Sequence, residues 1–135
     1  MRNIYLTSTF RHQWNRDFNP LIGEALTSVG FSCHLPTIFD PAKETAGAIF
    51  KRDIDGINDS EIILAIAENE SPNWGGEVGY AYGIKKPIVA LADKNHQIPL
   101  ILHGMIAEVV CVDNLNDINS YIDNLSAVIK KYLRN

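Results

Sequence analysis

Apolar positions follow two rhythms along this chain. Short runs of five to seven residues alternate with longer segments in which apolar residues recur every three or four. The short runs Asn3–Thr7 (NIYLT), Phe31–Leu35, Glu61–Ala67 (EIILAIA), Pro87–Leu91 and Glu108–Val112 predict strands. The third is nearly all apolar, which predicts a strand buried on both faces. Between the first two runs, Phe18, Leu21, Ile22, Ala25, Leu26 and Val29 form one stripe of an amphipathic helix, and Gly30 follows as its terminator. Asp40-Pro41 reads as a cap and first position of a second helix with Ala46, Ile49, Phe50, Ile54 and Ile57 on its stripe. A third helix is predicted from Gly75 to Ile84. A last one carries Ile118, Tyr121, Ile122, Leu125, Ile129 and Tyr132.

The element order is therefore βαβαβαβ, a loop, then βα, in a single domain over 1–135. Alternation of this kind implies a parallel sheet with helices on both faces. The expected fold class is α/β: a flavodoxin-like, Rossmann-like three-layer sandwich with five parallel strands in the order 2-1-3-4-5. Ligands of such folds bind beyond the carboxyl ends of strands 1 and 3, where the strand order reverses. Two segments leave those ends, Ser8–Arg16 and Glu68–Gly76. Residues 93–107 are the longest irregular stretch. They carry Ile98, Leu100, Ile101, Leu102 and Met105, more apolar surface than a solvated loop holds. Packing against a second copy of the chain is expected there, with His103 close to the neighbour's crevice; a short helix folded back on its own sheet is the alternative.

Composition narrows the partners. A net charge of −4 without a Lys/Arg cluster argues against a nucleic acid. No apolar run approaches the ~20 residues of a membrane span. The opening MRNIYLTST has a strand where a leader would have an apolar core, so a reduced cytoplasmic setting is expected. Cys33 and Cys111 lie in apolar runs and read as buried free thiols. His12, His34, His96 and His103 show no metal spacing, and neither a dinucleotide fingerprint nor a phosphate loop is present. No metal or cofactor is expected.

Two carboxylates stand out. Glu77 follows Gly75 and Gly76 at the predicted start of the third helix, where unpaired N–H groups favour a negative charge and lower its pKa. Such a carboxylate suits a nucleophile; equally, a first-turn Glu can simply stabilise its helix. Asp53 sits on the apolar stripe of the second helix. There it is paired with Arg11, Arg52 or a helix terminus, or lies at the stripe's edge, or is partly desolvated, with a raised pKa and a proton to give. A nucleophile beside an acid is the logic of a retaining glycosidase. Tyr5, near the end of a central strand, is placed to hydrogen-bond Glu77. Phe10, Trp14, Trp74 and Tyr80 offer flat rings for a base or for the core, while Tyr82 reads as packing. Arg11 and Arg16 are either phosphate ligands or solvated surface.

With these residues in place, the chain resembles the nucleoside 2-deoxyribosyltransferase family over nearly its whole length. The motifs that carry the likeness are IYLTSTF (4–10), RDIDGINDSEIILAI (52–66) and GGEVGYAYGIKKPIVAL (75–91), in that order. The resemblance implies that Glu77 attacks C1′ of a deoxynucleoside to form a covalent ester, that Asp53 handles the proton of the leaving base, and that Tyr5 contacts the nucleophile. Expected substrate contacts are Thr7, Ser8, Phe10 and Arg11 on one side of the crevice and Ser71, Asn73, Trp74, Gly75 and Gly76 on the other, with His103 from the 93–107 loop. The chain departs from the family pattern at Ser71, where an Asp is common, and at Pro99 and Ile101, where many members carry Asn-x-Met from a neighbouring subunit. Relatives that hydrolyse deoxynucleoside 5′-monophosphates share the last motif, so a nucleotide is the alternative substrate. A non-catalytic nucleotide sensor is the alternative of another class, and the resemblance also implies a homo-oligomer.

Overall fold

The computed structural model describes residues 2–37 and 40–133. Five parallel strands run in the order β2-β1-β3-β4-β5, as the alternation of elements predicts. They are β1 (Arg2–Thr7), β2 (Phe31–His34), β3 (Ile62–Ile66), β4 (Ile88–Asp93) and β5 (Glu108–Val112). The helices are α1 (Gln13–Ser28), α2 (Ala46–Asp59), α3 (Pro72–Gly83), α4 (Leu100–His103) and α5 (Ile122–Tyr132), with a 3₁₀ turn at Ile118–Ser120.

Strand residues alternate between two cores because successive side chains leave opposite faces of a sheet. Ile4, Leu6, Ile62, Leu64, Ile66, Val89 and Leu91 pack on one face with α1 and α5. Tyr5, Ile63, Ala65, Ala67, Ile88, Ala90 and Ala92 face the other way, onto α2, α3 and Ile98. The third strand is buried at every position, as its unbroken apolar run predicts.

Several boundaries differ from expectation. α1 starts five residues before Phe18, running through Pro20, and ends where Gly30 takes the positive φ (101°) of a C′ residue. α2 is capped by Thr45, whose hydroxyl accepts from Ala48 N at 3.1 Å, and not by Asp40. Asp40 instead folds its carboxylate onto Ala42 N at 3.0 Å, the local turn its short side chain favours. Phe50, expected on the buried stripe of α2, is exposed, because among the buried residues of that helix only Ile57 reaches the core. The 93–107 segment divides its apolar residues. Ile98, Leu102, Met105 and Ile106 fold onto the chain's own core, whereas Leu100 and Ile101 on α4 are 91% and 74% exposed.

Candidate active site

β1 ends at the point where the sheet order reverses, and period-two alternation sends Tyr5 and Thr7 to the same face. α3 begins at the matching end of β3. Ser71 caps it by accepting from Trp74 N at 3.2 Å, and Pro72 takes the first helical position, where its missing N–H costs nothing. The helix thus starts three residues before the predicted Gly75. Glu77 lies at its sixth position, beyond the unpaired N–H groups, so the helix-start account of its charge does not hold.

Two hydroxyls take over that role. Thr7 Oγ1 donates to Glu77 Oε1 at 2.6 Å, and the Tyr5 hydroxyl donates to Oε2 at 3.0 Å. Burial raises the Glu77 pKa above the usual carboxylate range, and the negative charge of Asp53 adds to the rise, while both hydroxyl bonds oppose it. The expected lowering is therefore reversed: desolvation outweighs every favourable contact. The same burial, with the charges of Glu77 and Asp53, pushes the Tyr5 phenol far up, so it is a fixed proton donor to the carboxylate.

Asp53 comes to this place on α2. Its pKa is raised, first by desolvation, against the pull of Arg52 and His34. Arg52 is committed elsewhere, donating to Glu44 at 2.8 Å. Among the described residues no salt bridge reaches Asp53, a half-buried carboxyl that binds its proton more tightly than an exposed one does.

The crevice loops are tied together by Asn15, which sequence inspection passed over. It is fully buried at the start of α1. Its Nδ2 donates to Ser8 Oγ and to the Glu68 carbonyl, both at 3.1 Å, and its Oδ1 accepts from Asn69 Nδ2 at 2.9 Å. All its hydrogen-bonding groups bridge the loop after β1 to the loop after β3. A polar residue in register with Phe18 and Ile22 on an apolar stripe was the available signal, the same one that marks Asp53. Further out, His96 Nε2 lies 2.8 Å from both carboxylate oxygens of Glu70, which holds the 93–107 segment against the β3–α3 loop.

The other expected contacts divide. Ser8 lines the crevice loop, Phe10 is half-buried beside it, and Arg11 is exposed. Arg16 is engaged by the Phe10 carbonyl at 2.7 Å and by Gln13 at 3.0 Å. Asn73 and Gly76 are exposed on the first turns of α3, and a Cβ at Gly76 would meet nothing within 4 Å, so the backbone there is open to a ligand. Gly75 instead faces Leu102, where a Cβ would lie 3.5 Å away, and so receives α4. His103 is exposed at the end of α4. Trp74 is 1% exposed within the core and offers no stacking face. Trp14 stacks on Phe18, and Tyr80 donates to Asn58 Oδ1 at 2.8 Å, so both serve the fold. Tyr82 is exposed where packing was expected, and so is Cys111; Cys33 is half-buried with its thiol pushed up to about 12 by burial, which leaves it unreactive. Among the described residues no cluster of metal ligands occurs and no helix is long and apolar enough to cross a membrane.

The same fold occurs in solved structures of low identity. A conserved protein from Enterococcus faecalis V583 superposes with a TM-score of 0.75 at 18% identity, covering 93% of this chain and 99% of that one. The CMP N-glycosidase BcmB of Clostridium botulinum gives 0.70 at 20% identity, with coverages of 94% and 99%. A 2-deoxyribosyltransferase from Bacillus psychrosaccharolyticus gives 0.66 at 20%, with 88% and 91%. No curated protein matches the chain. The family model described as nucleoside 2-deoxyribosyltransferase matches residues 4–125, a span that contains Tyr5, Thr7, Asp53 and Glu77. The chain belongs to the nucleoside 2-deoxyribosyltransferase family.

Proposed function

We propose that the protein cleaves the N-glycosidic bond of 2′-deoxynucleosides through a covalent deoxyribosyl ester on Glu77 and transfers the sugar to a second base. The observation that carries this reading is the Glu77 carboxylate held by two hydroxyls beside a desolvated Asp53. A Glu77 oxygen attacks C1′ as the C1′–N bond breaks, and its electron pair leaves with the base. Asp53 gives that base its proton. The second base attacks C1′ with a ring nitrogen, the Glu77 carboxylate departs, and the incoming base's proton passes to Asp53. Desolvation makes the carboxylate a stronger nucleophile, and the Thr7 and Tyr5 hydroxyls keep it oriented. Ser8, Phe10, Asn73, Gly76 and the Ser71 cap form the rim against which the nucleoside lies.

Hydrolysis of a nucleoside 5′-monophosphate is the second reading. Arg11 favours it, being exposed on the crevice loop while Arg16 is held by its neighbours. A sensing role has the fold in its favour, which is shared with the response regulator TrrA of Thermotoga maritima, but gives the two raised carboxyls no task. Deoxyadenosine incubated with and without free thymine separates the readings: thymidine is expected only in the tube that holds thymine, with a deoxyribosyl adduct on Glu77 by mass spectrometry. Adenine released equally fast in both tubes means hydrolysis, and a strong preference for the 5′-monophosphate assigns Arg11 to the phosphate.

The exposed face of α4 supports the reading that the chain assembles. Leu100 and Ile101 are too exposed for a short helix in water and supply the contact of a homodimer or higher homo-oligomer with closed symmetry. That assembly brings His103 toward the neighbouring crevice. Light scattering at micromolar concentration is expected to show a mass of at least twice 15.1 kDa; an active monomer removes the shared site.

A further inference from the structure

The Tyr5 hydroxyl reaches Glu77 only if its ring is held in plane and in depth. Two residues outside the carboxylate pair do this. His34 lies directly across from Tyr5 in the β1–β2 register, and the two rings stack with centroids 4.9 Å apart and planes at 13°. On the ring edge stands Gly56 of α2. A Cβ there would fall 2.9 Å from Tyr5 Cε2, 3.1 Å from Cδ2 and 3.2 Å from His34 Nε2. The first distance is shorter than real Cβ contacts allow, and Tyr5 is 1% exposed, so its ring has no solvent to swing into. Glycine inside a helix is destabilising relative to alanine. The close approach of the stack accounts for its presence. Asp53 lies three residues earlier on the same helix, so α2 cannot retreat from a larger residue at 56 without moving the second carboxyl.

We propose that His34 and Gly56 are positioning residues: the imidazole holds the face and the bare helix backbone holds the edge of the Tyr5 ring, so that its hydroxyl meets Glu77. His34 also borders a cavity of about 330 Å³ lined with Asn3, Ser32, Asp59 and Ser60, which leaves room for a larger flat ring at 34. The kinetic consequence rests on the proposed reaction; the geometric one does not.

The test has two arms. In the first, NMR follows the Tyr5 hydroxyl proton, whose exchange with water is slowed by burial and by its bond to Glu77. His34→Ala and Gly56→Ala are expected to lose this resonance, and His34→Phe to keep it. In the second, His34→Ala is expected to lower kcat about 10- to 100-fold with KM little changed, the size of loss that follows a small misplacement. His34→Phe restores kcat, and His34→Ala adds no further loss once Tyr5→Phe has removed the hydroxyl. Persistence of the resonance in both alanine variants overturns the proposal, as does an undiminished His34→Ala effect in the Tyr5→Phe background. Should wild type release no base from any nucleoside or nucleotide, the reaction assignment fails, and the hydroxyl resonance alone decides the positioning role. Should Gly56→Ala not fold, the two His34 variants decide it.

Discussion

The two faces of the sheet are built from the same strands and differ in kind. Under α1 and α5 the strands present Ile4, Leu6, Ile62, Leu64, Ile66, Val89 and Leu91, and the helices answer with Phe18, Ile22, Leu26, Leu125 and Ile129. Under α2 and α3, toward the carboxyl ends, the strands present Ala65, Ala67, Ala90 and Ala92, beside Tyr5 and Thr7. Large side chains interdigitate on the first face, which is where burial stabilises most. Small ones on the second let glycine-bearing helices come close and leave space for hydroxyls and carboxyls. Stability and chemistry are thus separated by a period of two residues along β1 and β3. The cost falls on Glu77 and Asp53, whose carboxyl pKa values burial raises above the ordinary carboxylate range.

The separation can be broken from either side. Glu77→Ala is expected to lower turnover about 10⁴-fold or more, as loss of a nucleophile does, while the protein stays folded. Leu64→Ala, one residue from Ala65 in sequence but on the opposite face, is expected to cost about 2–5 kcal/mol of stability. Its kcat per folded molecule should be near wild type. Denaturant melts alongside initial rates on both variants check this crossed pattern; loss of both properties in either variant means that the faces are coupled.

A smaller effect sharpens the same contrast. Because burial raises the Glu77 pKa in the folded state, the stability it contributes is full below its ordinary unfolded value. That contribution is lost as pH rises through the raised native value, since the unfolded chain then releases a proton that the folded one retains. Glu77→Gln carries no such loss. The Tm of this variant relative to wild type is therefore expected to climb between acid and neutral pH. A gap that stays constant across that range would show that the carboxylate is not held at a cost.

Much of this was legible in the order of residues. Five apolar runs separated by helical stripes determine a parallel sheet, because crossover connections leave few other topologies. A carboxylate on an apolar stripe marked Asp53, and the glycine-flanked Glu77 with a Tyr two strands away marked the rest of the centre. These are local signals, and period and burial are encoded locally. The start of α3 differs from expectation because Ser71-Pro72 competes with Gly75-Gly76 as a helix opening, and three residues decide whether Glu77 meets free N–H groups or the hydroxyls of β1. The sequence left Trp74 open between a base and the core, because an aromatic beside a crevice motif looks alike whether it turns outward or inward; the fold buries it.

What only the tertiary structure decided are relations between residues far apart in the chain. Sequence composition placed a Thr at 7, an Asn at 15, a His at 34 and a Gly at 56 without saying that any of them touches another. The sheet register lays His34 on Tyr5, and the packing of α2 brings Gly56 to the edge of that stack. The two loops that meet at Asn15 are joined across more than fifty residues of chain. Desolvation is the sum of all such neighbours, so the direction in which the Glu77 pKa moves is a property of the folded molecule, whereas the presence of a carboxylate at that point is a property of the sequence.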